Sequence, residues 1–64
     1  MSNFSKDDWI LNIQNAADEV AAHLGSEAVQ HILRLYGASS IEDLSPSCYS
    51  EVFDQLDYMA NELR

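Results

Sequence analysis

Positively charged residues are scarce in this chain. Three of its 64 residues are Lys or Arg, whereas eleven are Asp or Glu, and the formal net charge is −8. Binding to nucleic acid depends largely on Lys and Arg contacts with phosphate, and Lys6, Arg34 and Arg64 are too few and too scattered to provide them. We therefore expect no direct nucleic-acid binding, and the charge favours another protein with a basic surface as the partner.

Cysteine and long apolar runs are also scarce. The single Cys48 excludes an internal disulfide framework, on which small secreted domains usually depend. No stretch approaches the length of a membrane span, and the first residues lack the basic and apolar regions of a secretory signal. We expect a cytoplasmic protein with no membrane contact.

What the chain does contain is a series of helix signals, beginning at Ser5. Ser5 can cap a helix whose first turn holds Asp7 and Asp8, where carboxylates are favourable. Gly25 fits the end of that helix, because a residue with positive φ closes the last turn. The spacing predicts a helix over 6–24 with apolar residues on one face: Trp9, Ile10, Ile13, Ala16, Ala17, Val20, Ala21 and Leu24.

A second helix is predicted over 27–36. Ser26 precedes it and Gly37 ends it. Its apolar residues cover more than half of the circumference, so we expect this helix to be largely buried: Ala28, Val29, Ile32, Leu33, Leu35 and Tyr36.

A connector and a third helix complete the pattern. Residues 41–44 predict a short turn whose Ile41 and Leu44 enter the core. Ser45 followed by Pro46 is the preferred order at a helix start, which predicts a helix over 46–63. Its apolar face comprises Tyr49, Val52, Phe53, Leu56, Met59, Ala60 and Leu63.

Three amphipathic helices with short connections predict an all-α fold, a compact antiparallel three-helix bundle. The hydrophobic fraction of 47% is in the ordinary globular range and argues against disorder. We expect a single helical domain over residues 1–64.

The polar positions of the third helix suggest a surface for a partner. At 100° per residue, Glu51, Asp54, Tyr58, Asn61 and Glu62 lie opposite the predicted core. Tyrosine is enriched at protein interfaces, so these residues form a candidate partner-binding face. A solvated helix face with an incidental tyrosine is the alternative interpretation.

Leu11 is a further candidate for partner binding, because it is predicted to point away from the core of the first helix. Together with the broad apolar surface of the second helix, an outward leucine suits a homodimer or a groove for a partner, since oligomerisation can complete a small core.

No residue pattern indicates catalysis, a cofactor or a metal. Cys48 has no histidine at a recognisable spacing, and His23 and His31 do not match the usual zinc-ligand spacings. Asp54 and Asp57 lie on a helix without the glycine that a calcium loop needs. We expect that the protein is not an enzyme.

Residues 36–44 resemble the modification site of acyl carrier proteins, which are also small, acidic and helical. In that family an Asp-Ser-Leu triplet opens a helix, and the serine carries phosphopantetheine. The resemblance implies modification at Ser40. Here Ser39 replaces the aspartate, Ile41 replaces the leucine, and Pro46 interrupts the segment that would continue the helix.

A broader resemblance links the whole chain, and residues 35–53 in particular, to small acidic accessory proteins of bacterial conjugative transposons and phages. The shared pattern is a helix, a glycine stop, an acidic connector and a proline-started helix. It implies an accessory role on a mobile genetic element and transfers no functional residues.

These observations leave three functions open. The first is a protein-interaction module that acts by binding another protein. The second is an anti-defence or regulatory inhibitor whose acidic surface mimics nucleic acid and occupies a nucleic-acid-binding cleft. The third is an acyl-carrier-like protein modified at Ser40.

Overall fold

A computed structural model describes residues 5–63, except for the side chain of Leu63. Within this range the chain forms α1 (Lys6–Leu24), α2 (Ser26–Leu35) and α3 (Tyr49–Leu63), and no strand. The predicted all-α three-helix bundle is confirmed. The prediction that the Leu63 side chain belongs to the core falls outside the described part of the chain.

The start of α1 is held by a reciprocal capping box. The Asp8 backbone N–H donates to Ser5 Oγ at 3.2 Å, and the Ser5 backbone N–H donates to Asp8 Oδ2 at 3.3 Å. These two bonds satisfy amides that the first helical turn leaves without partners. Ser5 is the predicted start of this helix, and its side chain confirms that role.

A single residue, Gly25, separates α1 from α2. Its φ of 90° and ψ of 160° lie in a region that is essentially restricted to glycine. Its N–H donates to the Ala21 carbonyl at 2.8 Å, and its carbonyl accepts from the Ala28 N–H at 3.2 Å. Ser26 is therefore the first residue of α2 and not its cap, which shifts α2 by one residue from the predicted 27–36.

The end of α2 is a Schellman motif centred on Gly37. The Ala38 N–H donates to the Leu33 carbonyl, and the Gly37 N–H donates to the Arg34 carbonyl, both at 3.0 Å. Gly37 has a φ of 75°, which the motif requires. Ala38 and Leu33 are both buried, so the motif returns the chain to the core.

The connector follows as a loose turn. The Asp43 carboxylate accepts from the backbone N–H of Ser39 at 3.0 Å and from its hydroxyl at 3.3 Å. Ile41 and Leu44 are 7% and 3% exposed, so the prediction that they enter the core is confirmed.

The predicted third helix begins with a tighter turn than expected. Pro46–Cys48 is a 3₁₀ turn, in which the Cys48 N–H donates to the Ser45 carbonyl at 2.8 Å, and the α-helix begins at Tyr49. Such turns are frequent at helix starts. The Ser45 side chain makes no capping bond.

Aromatic contacts establish the helix directions. The Trp9 ring lies 6.4 Å from the Tyr49 ring and 6.2 Å from the Phe53 ring, measured between centroids. α1 and α3 therefore begin at the same end of the bundle, and α2 together with the connector returns the chain to that end. α3 packs mainly on α1 and less on α2.

Two sequence expectations about the core are wrong. α2 is one-sided and not largely buried, because only Val29, Ile32 and Leu33 on it are buried. Leu24 and Leu35 were expected in the core but are 50% and 66% exposed. Both lie in the last turn of their helices, and the described part of the chain leaves them at the surface.

Candidate functional site

The outward side of α3 carries acidic residues around one tyrosine. Tyr58 is 66% exposed, and its neighbours on the same side of the helix are exposed as well. We call this surface the α3 acidic face: Glu51, Asp54, Tyr58, Asn61 and Glu62. The structure leaves all five residues at the surface, and their role in binding stays a prediction.

Packing on the opposite side of α3 fixes this orientation. Tyr49, Val52, Leu56 and Ala60 are at most 2% exposed and recur at three- and four-residue spacing. Phe53 adds an edge-to-face contact with Trp9 of α1. With one side of α3 held in the core, the acidic side must face solvent.

Part of the charge on the α3 acidic face opposes the stability of the helix that carries it. Glu51 lies in the first turn, where a carboxylate is favourable, but Asp54 follows it by three positions, where like charges repel across one turn. Glu62 lies in the last turn, whose free carbonyls already make the helix end partially negative. Within the described residues, that turn contains no basic side chain to offset either effect.

Asn61 differs from the other members of the face. Its side-chain amide donates to Asp57 Oδ2 at 3.4 Å, a long hydrogen bond within the same helix. Asp57 is half-buried at the edge of the face. The accessible negative charge of the face therefore resides on Glu51, Asp54 and Glu62.

Leu11 is exposed as predicted, at 60%, but the structure does not bring it to the α3 acidic face. Two residues earlier, the Trp9 ring contacts Tyr49 and Phe53 of α3. An α-helix turns about 100° per residue, so Leu11 lies about 200° around the helix axis from Trp9. The Leu11 side chain therefore points away from α3. The six predicted binding residues thus form two separate surfaces.

A groove that the sequence did not reveal lies between α1, α2 and the connector. Its volume is about 260 Å³. The floor is apolar: Ala17, Ala21, Val29, Leu33 and Ile41. The rim is polar: Gln14, Asp18, Ser26, Gln30, Ser40 and Glu42. The only sequence signal for this groove was the pair of small residues at 17 and 21, which share one side of α1.

The candidate chemical residues are dispersed. Cys48 is half-buried against the core, while His23 and His31 are exposed. Among residues 5–63, no three His, Cys, Asp or Glu side chains are placed so that they could hold a metal ion. No helix in the described range is long and apolar enough to cross a membrane.

Ser40 lies half-buried in the connector turn, where its carbonyl accepts from the Asp43 N–H at 3.1 Å. No helix begins at Ser40, and the next helical residue is Pro46. This geometry differs from the helix-opening serine that the acyl carrier resemblance implies, so it does not favour modification at Ser40.

Comparisons of this chain with protein-family models, with curated proteins and with solved structures give no match. The resemblance to accessory proteins of mobile elements therefore stays a prediction, and the functional argument depends on the surfaces described above.

Proposed function

We propose that this protein is a small acidic helical interaction module, an accessory protein of a mobile element, that binds a basic surface of another protein through its α3 acidic face. The net charge of −8 favours a basic partner. The accessory role is supported only by the resemblance of residues 35–53.

The observation that carries this proposal is the arrangement of charge on α3. Glu62 weakens the isolated helix at its negative end, and Asp54 and Glu51 repel each other across one turn. Glu51 itself lies in the first turn, where a carboxylate is favourable. Residues that violate a local rule of stability are expected at functional sites. A basic partner surface would remove both penalties.

Tyr58 gives the face an apolar centre. It is 66% exposed and lies between Asp54 and Glu62 along the helix. Tyrosine is enriched among interface residues that dominate binding energy, and surrounding polar groups exclude water from them. Tyr58 is therefore the expected anchor, and the carboxylates around it supply orientation and association rate.

Affinity capture with a paired control tests this proposal. Tyr58→Ala with Asp54→Lys should retain the helical circular dichroism spectrum and lose recovery of a basic partner. Asp7→Lys with Leu11→Ala makes the same charge change on α1 and also removes one exposed apolar side chain, and it should retain recovery. If both double variants recover the basic partner equally, the α3 acidic face is only a solvated surface.

Competition by DNA distinguishes the adaptor role from nucleic-acid mimicry. An inhibitor that occupies a nucleic-acid-binding cleft is displaced from its partner by duplex DNA. An adaptor bound elsewhere on a basic surface is not. We propose the adaptor role as the primary function and mimicry as the alternative.

A further inference from the structure

The open groove between α1, α2 and the connector can accept apolar side chains of another molecule. Its depth depends on Ala17 and Ala21, because larger side chains at these positions would fill it. Val29 and Leu33 of α2 and Ile41 of the connector complete the apolar floor. No described residue of α3 lines the groove, so it is separate from the α3 acidic face.

The size of the groove discriminates between kinds of ligand. Small-molecule and cofactor sites usually enclose about 300–1,000 Å³ and bury most of their ligand. This groove is open and measures about 260 Å³. It therefore suits a few side chains that project from a partner helix at three- and four-residue spacing, which is the usual arrangement of helix-in-groove recognition.

The charge of the rim selects among such helices. Asp18 and Glu42 are exposed at the rim, and among residues 5–63 no Lys or Arg lines the groove. An acidic helix would be repelled there, whereas a helix that flanks its apolar anchors with lysine or arginine would place those charges beside the two carboxylates.

We propose that this groove binds an amphipathic helix of a partner protein that inserts aliphatic side chains over Ala17 and Ala21 and pairs lysine or arginine with Asp18 and Glu42. The proposal does not depend on the α3 acidic face, because the two surfaces share no residue.

A defined probe tests the groove directly. The probe is a synthetic helical peptide of leucine and lysine, with its leucines at three- and four-residue spacing, titrated into isotope-labelled protein. The expected result is saturable binding whose largest backbone amide shifts lie at the groove residues. The same peptide with its leucines replaced by alanine should not bind, and neither should the peptide with its lysines replaced by glutamate.

Paired variants identify the site. Ala21→Phe fills the groove and should weaken peptide binding about tenfold or more, whereas Ala22→Phe, on the exposed outer side of α1, should leave it unchanged. Asp18→Lys with Glu42→Lys should weaken binding more than Glu51→Lys with Asp54→Lys, which makes the same charge change on α3.

Three outcomes would overturn the proposal. They are no saturable binding of the peptide, amide shifts on α3 in place of the groove, or the same loss of peptide affinity in the groove variant and the control variant of each pair. If Ala21→Phe does not fold, the charge-reversal pairs decide the question, because all four acidic side chains are exposed. Loss of peptide binding in the groove variants with intact partner capture by the α3 acidic face would separate this site from the proposed function.

Discussion

The Trp9 ring meets the Phe53 ring edge to face, with their centroids 6.2 Å apart and an interplanar angle of 68°. This contact joins the first turns of α1 to the first turns of α3. Tyr49, four residues before Phe53, also contacts the Trp9 ring and completes the aromatic cluster. Aromatic pairs in this geometry contribute about 0.5–1.5 kcal/mol beyond the area that they bury.

Trp9→Ala should leave the protein only marginally stable at room temperature. Replacing a buried Trp by Ala costs about 3–5 kcal/mol, and Trp9 is half-buried, so we expect the lower end of that range. A single core in so small a domain supplies only about 3–5 kcal/mol in total. Urea titration followed by circular dichroism measures the loss. Leu11→Ala on the same helix is the control, and it should change stability by less than about 0.5 kcal/mol.

Tyr49→Phe should stabilise the protein. Tyr49 is 2% exposed, and its hydroxyl has no hydrogen-bond partner among the described residues. An unpaired buried polar group costs about 1–3 kcal/mol, so removing the oxygen should raise the free energy of unfolding by about 1 kcal/mol. Tyr58→Phe removes an exposed hydroxyl and should have no effect. A loss of stability in Tyr49→Phe would show that the hydroxyl is bonded in solution.

Gly37→Ala should destabilise the end of α2 through backbone strain alone, because Gly37 has a positive φ. A side chain at Gly37 would meet no atom within 4 Å, but its φ is 75°. The left-handed region costs an L-residue about 1–2 kcal/mol. Thermal unfolding of synthetic protein should show that loss for L-alanine and none for D-alanine, which adopts positive φ without strain. Equal losses for both enantiomers would point to a steric clash.

Glu62→Lys should stabilise the isolated protein and weaken its binding to the basic partner. A cation in the last turn of α3 favours the helix by about 0.3–1 kcal/mol. Glu27→Lys makes the same charge change in the first turn of α2 and should destabilise by a similar amount, because a carboxylate is favourable there. Melting temperatures that shift in the same direction for both variants would show that net charge, and not helix position, governs the effect.

The sequence predicted the helices well because glycine, serine and proline mark their ends. Gly25 and Gly37 need positive φ, and Ser5 caps α1, so these boundaries follow from local chemistry. Pro46 correctly indicated a helical start near α3. The first turn there is a 3₁₀ turn, in which the Ser45 carbonyl accepts from the Cys48 N–H, and the α-helix follows it. A 3₁₀ turn joins residues three apart and an α-helix joins residues four apart, and the sequence pattern does not distinguish these two hydrogen bonds.

Tertiary placement accounts for what the sequence did not predict. Leu35 belongs to the apolar set of α2 by composition, yet it is 66% exposed among residues 5–63. The groove arises from the separation of α1, α2 and the connector, which no single helix encodes. The α3 acidic face was predictable because one helix with one buried side determines it, and the exposure of Leu11 followed in the same way from the buried side of α1.

Photo-crosslinking from position 58 tests the central claim most directly. Tyr58 is replaced by benzoylphenylalanine, which keeps an aromatic ring at the centre of the α3 acidic face, and the same residue is placed at Leu11 as the control. We expect irradiation in the cells that make the protein to link position 58, but not position 11, to one protein through a segment rich in lysine and arginine. Crosslinks of equal yield from both positions, or none from position 58, would contradict the account.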